Sequence, residues 1–428
     1  MGSIAHTSIA RAAGRVLALG LSAALACAVG VGVAVAPGAA AWADEARSEQ
    51  WQLSALDARD AWKVSTGKGV IVAVIDSGVD ASHPDLVGQV LPGIDLVDRA
   101  AGDEGKVDPV GHGTTVAALI AGSNKDSSGA EGIAPGAKIL PIRVLDKANK
   151  YDDPSVVAQA VRWAVDHRAT VINLSLGGAL RSEAIADALR YAAAHDVVVV
   201  ACTGNIATDR SIHQVWYPAR EPGVIAVAGL GAKAPTSKAE ALWSGSLTGP
   251  ETVLTAPAVG LTGAKPGGGY WQVQGTSFAA PLVAGAASLV RARFPKMSAA
   301  NVINRLIGTA RDLGAKGRDD QFGYGEVDPV AALRSSVGEV ATNPLADGAT
   351  EPGPVGDAEA DQGEPLRPGG AAPMPSTSEE PELRQMAGDA RTELSAVAGL
   401  TATLLILVVG ASGVLLHHRR RARHSTRL

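Results

Sequence analysis

The chain has 428 residues, of which 46% are apolar and 4% aromatic, with 38 Lys and Arg against 43 Asp and Glu. This length excludes a small disulfide-stapled scaffold and provides for a large core. The net charge of −5 argues against a basic surface for nucleic acid, so no nucleic-acid partner is expected.

Residues 1–43 have the pattern of a secretory signal peptide. Two arginines precede an apolar run over residues 16–36, and an Ala-x-Ala site ends at Ala43. We expect cleavage before Asp44, which would place the following domain outside the cytoplasm. Because the apolar run is long for a signal peptide, an uncleaved membrane anchor is the alternative.

Between residues 44 and 341, short β-branched runs alternate with stretches that carry apolar residues at helical spacing. The runs cover residues 69–76, 138–144, 170–175, 196–201 and 224–228. Near-continuous apolar strands that alternate with helices predict an α/β fold, with a parallel sheet covered by helices on both faces. In such a sheet, functional side chains lie beyond the carboxyl ends of the strands.

Cys202 is the one cysteine that would remain after signal removal. An intramolecular disulfide is then excluded, so the core must hold the domain together. We interpret Cys202 as a small buried residue rather than as a nucleophile.

Residues 342–395 have the composition of a linker. Up to residue 393 they contain eight prolines, eleven acidic residues, three arginines and no aromatic residue. Such a segment cannot bury enough apolar surface to fold, and its prolines and like charges keep it extended.

Residues 396–416 carry no charge and predict one transmembrane helix. At about 1.5 Å per residue they would span ~30 Å, the thickness of a bilayer core. The basic tail at 417–428 is expected in the cytoplasm by the positive-inside rule. A buried core helix is the weaker alternative, because too little chain follows to bury it. The pattern predicts a single-pass plasma-membrane protein with its domain outside and its carboxyl terminus inside.

Three glycine-flanked segments carry side chains suited to nucleophilic catalysis. An Asp-Ser-Gly motif begins at Asp76 after an apolar strand, Gly-His-Gly-Thr surrounds His112, and Gly-Thr-Ser ends at Ser277 before an Ala-rich helix. A serine hydroxyl needs an adjacent base, and the base needs an orienting carboxylate. A helix that starts at Ser277 would direct free N–H groups towards a developing oxyanion.

Each motif alone is weak evidence of catalysis. Together and in this order, the three motifs resemble those of the subtilisin-like serine proteases, and the resemblance covers nearly all of residues 44–341. The resemblance implies Ser277 as nucleophile, His112 as general base and then acid, and Asp76 as the orienting carboxylate. It implies a serine endopeptidase that cleaves protein or peptide substrates and requires no cofactor. A structural calcium ion stays open, although no residue pattern indicates a metal site.

Two further elements of that family have counterparts here. Asn205 ends a Thr-Gly-Asn motif that resembles the family's oxyanion element, while Ser175, Leu176 and Gly177 resemble the strand that pairs with substrate backbone. Trp216 stands where the family forms the base of the S1 pocket. An indole there should shorten the pocket and select Ala, Gly or Ser at the P1 position. Alternatively, the indole swings out and packs on the surface.

The order of segments resembles that of the mycosins, the proteases associated with type VII secretion in actinobacteria. This resemblance implies secretion-system substrates and contacts with membrane components of that machinery. Only 32 residues separate Asp44 from Asp76, too few for a folded propeptide, so residues 44–63 are expected to lie along the domain.

Two alternative functions remain. The protein could chiefly be a structural stabiliser of a secretion complex, with proteolysis secondary. A sedolisin-like acid peptidase is disfavoured, because that family uses Glu where this chain has His112.

Overall fold

The structure, a computed structural model, describes residues 46–98, 102, 104–123, 129–206, 214–231, 241–346 and 369–371. The predicted signal peptide, the predicted span at 396–416 and the basic tail lie outside these residues, as does most of the predicted linker. Within the described part of the chain, no helix is both long and apolar enough to cross a membrane.

Twelve strands are described, most of them in one sheet. In chain order they are β1 (Ile71–Asp76), β2 (Ile94–Asp95), β3 (Lys138–Arg143), β4 (Lys150–Tyr151), β5 (Val171–Leu174), β6 (Leu176–Gly177), β7 (Val198–Cys202), β8 (Ile225–Leu230), β9 (Leu254–Pro257), β10 (Leu261–Ala264), β11 (Tyr270–Val273) and β12 (Gly369–Ala371). Seven of them form a sheet in the order β2-β3-β1-β5-β7-β8-β9, and every pair is parallel. The predicted parallel sheet is therefore confirmed.

Helices pack around this sheet. In chain order they are α1 (Trp51–Ala55), α2 (Ala58–Trp62), α3 (His112–Ala121), α4 (Pro154–Asp166), α5 (Glu183–Ala194), α6 (Thr276–Arg293), α7 (Ala299–Gly308) and α8 (Pro329–Arg334). In β1, all residues from Val72 to Asp76 are buried, although successive side chains point to opposite faces. Both faces of the sheet are therefore covered.

Helix α6 is the central helix of the domain. It is buried on all sides from Thr276 to Arg291, and it packs against α3 and against β5, β7, β8 and β9. A helix that is buried all round must consist of apolar and small residues, and its Ala-rich sequence meets that need. Its first turn is hydrogen bonded to the segment after β7, where the N–H of Gly204 donates to the hydroxyl of Thr276 at 3.1 Å.

The segment before β1 lies along the domain, as its short length suggests. Gln50 exchanges side-chain and backbone hydrogen bonds with Glu131, at 2.9 and 2.8 Å. The indole nitrogen of Trp62 donates to the carbonyl oxygen of Ile133 at 2.8 Å. These bonds hold α1 and α2 against the loop before β3.

Two pieces of the predicted linker are among the described residues. Asn343 donates its side-chain amide to the carbonyl oxygen of Gly223 at 3.0 Å, and the N–H of Gly223 donates to Leu345 at 2.8 Å. Further along, β12 lies between β4 and β6 in a separate three-stranded sheet. Both pieces are thus hydrogen bonded to the domain.

Candidate active site

The three motif residues meet at the carboxyl edge of the parallel sheet. Asp76 is the last residue of β1, His112 is the first residue of α3, and Ser277 is the second residue of α6. Asn205 follows the end of β7. Parallel strands end at one edge, and this is where an α/β sheet builds its sites.

Asp76 and His112 form a buried hydrogen-bonded pair. The Nδ1 of His112 lies 2.8 Å from the Oδ1 of Asp76, and both residues are fully buried. Because a carboxylate only accepts, the proton belongs on Nδ1, which leaves a lone pair on Nε2. Nε2 makes no hydrogen bond within the described part of the chain. The pair therefore presents a free imidazole base.

Close packing brings α3 to the end of β1. A methyl group placed on Gly113 would come within 2.1 Å of the carbonyl oxygen of Gly78. Any side chain there would push the first turn of α3, and His112 with it, away from Asp76. Glycine is needed at this position for its small size.

Ser277 lies in the first turn of α6, where backbone N–H groups have no acceptor within the helix. Its carbonyl oxygen accepts from the hydroxyl of Ser175 at 2.6 Å. The next residue, Phe278, packs against the ring of His112 with 5.1 Å between ring centroids. The imidazole therefore contacts the turn that carries the serine.

Cys202 lies behind the serine. Its Sγ is 3.8 Å from the Oγ of Ser277, and the residue is fully buried. Burial raises the pKa of the Cys202 thiol to about 11, so the thiol is neutral at pH 7. A protonated thiol is a poor nucleophile, in agreement with the interpretation of Cys202 as a buried residue.

The side-chain amide of Asn205 has a fixed orientation. Its Oδ1 accepts from the backbone N–H of Thr276 at 3.0 Å and from that residue's hydroxyl at 3.2 Å. A backbone N–H can only donate, so it identifies the oxygen of the amide. The Nδ2 has no partner among the described residues. The two N–H donors of this amide therefore remain available beside the first turn of α6.

Asp108 is a structural residue of the site that the motifs do not reveal. Its carboxylate accepts from the hydroxyl of Ser77 at 2.8 Å and from the backbone N–H groups of Gly111 and Thr114 at 2.7 and 2.8 Å. It thus ties the turn after Asp76 to the start of α3. Burial raises the pKa of Asp108, while the bonds from Gly111 and Thr114 act in the opposite direction. The sequence signal for Asp108 is an Asp placed shortly before a predicted helix, where its carboxylate can accept from the free N–H groups of the first turn.

Trp216 lies between the segment that follows β7 and the segment that follows β6. Its backbone N–H donates to the carbonyl oxygen of Thr203 at 2.8 Å, and the next residue pairs with Gly178. A methyl group placed on Gly204 would come within 2.4 Å of the indole, and one on Gly177 within 3.4 Å. The indole therefore covers both glycines instead of turning out to the surface.

His83, which follows β1, uses both ring nitrogens in hydrogen bonds within the protein. Nε2 of His83 lies 3.1 Å from the carbonyl oxygen of Gly269, and Nδ1 accepts from the N–H of Asp85 at 3.2 Å. Among the described residues, no group of three or more His, Cys, Asp or Glu side chains is arranged to hold a metal ion.

Comparisons with known proteins place this geometry in context. Fervidolysin from Fervidobacterium pennivorans is 39% identical over 318 residues, a match that covers 68% of this chain and 44% of that protein. Its crystal structure superposes with a TM-score of 0.62 at 34% identity, over 70% of this chain and 47% of that chain. The chain thus spans less than half the length of this relative.

The solved structures of two MycP proteins are also similar. MycP1 from Mycobacterium smegmatis has a TM-score of 0.58 at 30% identity, over 69% of this chain and 86% of that chain. The MycP3 protease from the type VII (ESX-3) secretion system has a TM-score of 0.55 at 32% identity, over 66% of this chain and 87% of that chain. The fold is therefore subtilisin-like and resembles that of the mycosins.

The Subtilase family profile, Peptidase_S8, matches residues 67–325. This match covers more than half of the chain and contains Asp76, His112, Asn205 and Ser277. The chain therefore belongs to the subtilase family.

Proposed function

We propose that the protein is a serine endopeptidase that hydrolyses peptide bonds through an acyl-enzyme. The observation that carries the proposal is the buried Asp76–His112 pair, with 2.8 Å between Oδ1 and Nδ1 and an Nε2 that has no hydrogen-bond partner among the described residues. A buried imidazole that is held in one tautomer and keeps a free lone pair is what a serine nucleophile needs.

In the proposed reaction, His112 removes the proton from the hydroxyl of Ser277 as its Oγ attacks the scissile carbonyl. Asp76 holds the imidazole and stabilises the imidazolium that forms. The oxyanion accepts hydrogen bonds from the N–H of Ser277 and from the Nδ2 of Asn205. His112 then protonates the leaving amine, and water hydrolyses the acyl-enzyme by the same steps in reverse.

The substrates that we propose are extended peptides with a small P1 residue. The edge of β6 can pair with substrate backbone, because strand addition gives affinity with little demand on sequence. The indole of Trp216 covers Gly204 and Gly177, so the pocket for the P1 side chain between these two glycines is shallow. Ala, Gly or Ser at P1 is therefore favoured over Phe or Leu.

The proposed location is the outer side of the plasma membrane, with residues 396–416 as the single anchor. A role in type VII secretion is proposed from the likeness to MycP1 and MycP3, the second of which is described as a protease of such a system. Membrane components of that system would then be the protein's partners.

The test is hydrolysis of a chromogenic peptide by the full chain, compared with the Ser277→Ala and His112→Ala variants. We expect each variant to lose at least about 10³-fold in kcat, because triad members act as a unit. Ser288→Ala is a matched control, since Ser288 is a buried serine of the same helix whose hydroxyl donates to the carbonyl oxygen of Ala284 at 2.8 Å. Equal rates for wild type and Ser277→Ala would contradict the proposal.

A second comparison tests the link to secretion. If proteolysis is the role in the cell, Ser277→Ala should impair secretion as strongly as deletion of the whole protein. Secretion that survives Ser277→Ala but not deletion would favour a structural stabiliser instead.

A further inference from the structure

The edge of β6 is already occupied by another part of the same chain. Strand β12, from the predicted linker, is the middle strand between β4 and β6 and runs antiparallel to both. Gly370 lies opposite Lys150 on one side and opposite Gly177 on the other. A three-residue segment therefore pairs with two edges at once.

This position coincides with the proposed substrate cleft. Ser175 directly precedes β6, and its hydroxyl donates to the carbonyl oxygen of Ser277 at 2.6 Å. Gly177, at the other end of β6, lies against the indole of Trp216. A backbone that pairs with β6 therefore runs between the proposed nucleophile and the proposed S1 residue.

The direction of β12 is that of a substrate. Gly370 lies opposite Gly177 and Ala371 lies opposite Leu176, so the segment advances towards Ser175 as it runs from amino to carboxyl end. A substrate presents its carbonyl carbon to the nucleophile at the carboxyl end of such a strand.

The sequence of the segment fits a shallow cleft. Its residues are Gly, Gly and Ala, and Ala372 and Pro373 follow. Glycine and alanine have little strand propensity of their own, so pairing here depends on the two receiving edges. Ser277 is also fully buried, although a substrate has to reach its hydroxyl.

We propose that the segment Gly369–Ala371 is an intramolecular pseudosubstrate, which binds in the cleft and competes with peptides in solution. This inference rests on the proposed function, because it takes the edge of β6 as the substrate site. Residues 347–368 separate the segment from Ala346, and their Pro-rich, acidic composition predicts a linker. For a linker of this kind, the effective concentration of the segment at the cleft is about 1 mM. If the segment binds with a Kd of about 0.1 mM, it lowers kcat/KM about tenfold.

The test compares three full-length chains: wild type, Gly370→Pro and Gly363→Pro. Proline has no N–H and cannot sit in the middle of a sheet, so Gly370→Pro should release β12. Gly363→Pro makes the same substitution in the same linker outside β12. We expect Gly370→Pro to raise kcat/KM for a peptide with Ala at P1 about tenfold, through KM, while Gly363→Pro matches wild type. A synthetic peptide of residues 366–373 should then inhibit the Gly370→Pro chain competitively.

Two results would overturn the inference directly: equal kcat/KM for all three chains, or no inhibition by the peptide. A third is cleavage of the linker near β12 in the wild-type chain, because the segment would then be a substrate. Labelling of Ser277 by a fluorophosphonate distinguishes failure of the pseudosubstrate inference from failure of the proposed function. If the chains are labelled but any of those three results is found, the inference alone is overturned, whereas no labelling of any chain overturns the proposed function with it.

Discussion

Replacing Trp216 with glycine should widen the P1 preference from small residues to aromatic ones. In the structure the indole covers Gly204 so closely that an added methyl group would lie 2.4 Å from it. Removing the indole would expose the faces of Gly204 and Gly177, between which a P1 phenyl ring could pack.

The size of the effect follows from the apolar surface that the substrate would bury. Full burial of a Phe side chain contributes about 1.5–3 kcal/mol. At 1.36 kcal/mol for each tenfold change, the kcat/KM for a P1 Phe peptide relative to a P1 Ala peptide should rise about 10- to 150-fold. Because Trp216 is only half-buried, we expect its loss to cost about 1–3 kcal/mol of unfolding free energy.

The assay is kcat/KM for two chromogenic peptides that differ only in Ala or Phe at P1, with thermal unfolding of each variant measured alongside. Trp163→Ala is the control, since Trp163 lies on α4 and stacks on His167 with 3.6 Å between ring centroids. Its ratio should equal that of wild type. Efficient cleavage after Phe by wild type, or an unchanged ratio in Trp216→Gly, would refute the reasoning.

Three further substitutions test other parts of the site. Asn205→Ala should lower kcat about 10²- to 10³-fold with little change in KM, since it removes an oxyanion donor; a change confined to KM would contradict that role. Asp108→Asn should lower the unfolding free energy by about 1–3 kcal/mol, because an amide group would face donors that now bond a carboxylate. Burial raises the pKa of Asp108 above its unfolded value, so the folded protein keeps this proton to higher pH than the unfolded chain does. The free energy of unfolding should therefore fall as the pH rises above about 4. Asp108→Asn should flatten that fall in denaturation curves, and an unchanged pH dependence would contradict the role given to the Asp108 carboxyl group. Cys202→Ala should keep kcat/KM within about threefold because the thiol is neutral; a loss as large as that of Ser277→Ala would make Cys202 catalytic.

The central sheet could be predicted from the sequence because burial on both faces leaves a direct signal. The predicted runs at 69–76 and 138–144 contain β1 and β3, and most of their residues are apolar because neither face meets water. Strand β6 has only two residues, too few to show any periodicity. Its prediction rests on the likeness of Ser175, Leu176 and Gly177 to the substrate-pairing strand of the family.

The motifs located the residues with reactive side chains but not those that hold them. Asp108 acts through Ser77, 31 residues away along the chain, and a long-range buried hydrogen bond has no local sequence signature. The resemblance places Trp216 at the base of the S1 pocket, but only the structure shows its indole covering Gly204.

Strand β12 could not be predicted, for a different reason. It lies in a Pro-rich, acidic segment whose composition indicates no packed structure, and its residues do not favour strands. Its pairing comes from the free edges of β4 and β6, which lie more than 190 residues earlier in the chain. Composition describes a segment alone and carries no information about an edge elsewhere in the fold.

The measurement that tests the central claim most directly is covalent labelling of the full chain by a fluorophosphonate, with the labelled residue identified by peptide mass spectrometry. The reagent reacts with a serine only when a base activates its hydroxyl. We predict one label on Ser277, which is lost in His112→Ala and retained in Ser288→Ala. An unlabelled wild-type chain, or a label that persists in His112→Ala, would contradict the assignment of a base-activated serine to this site.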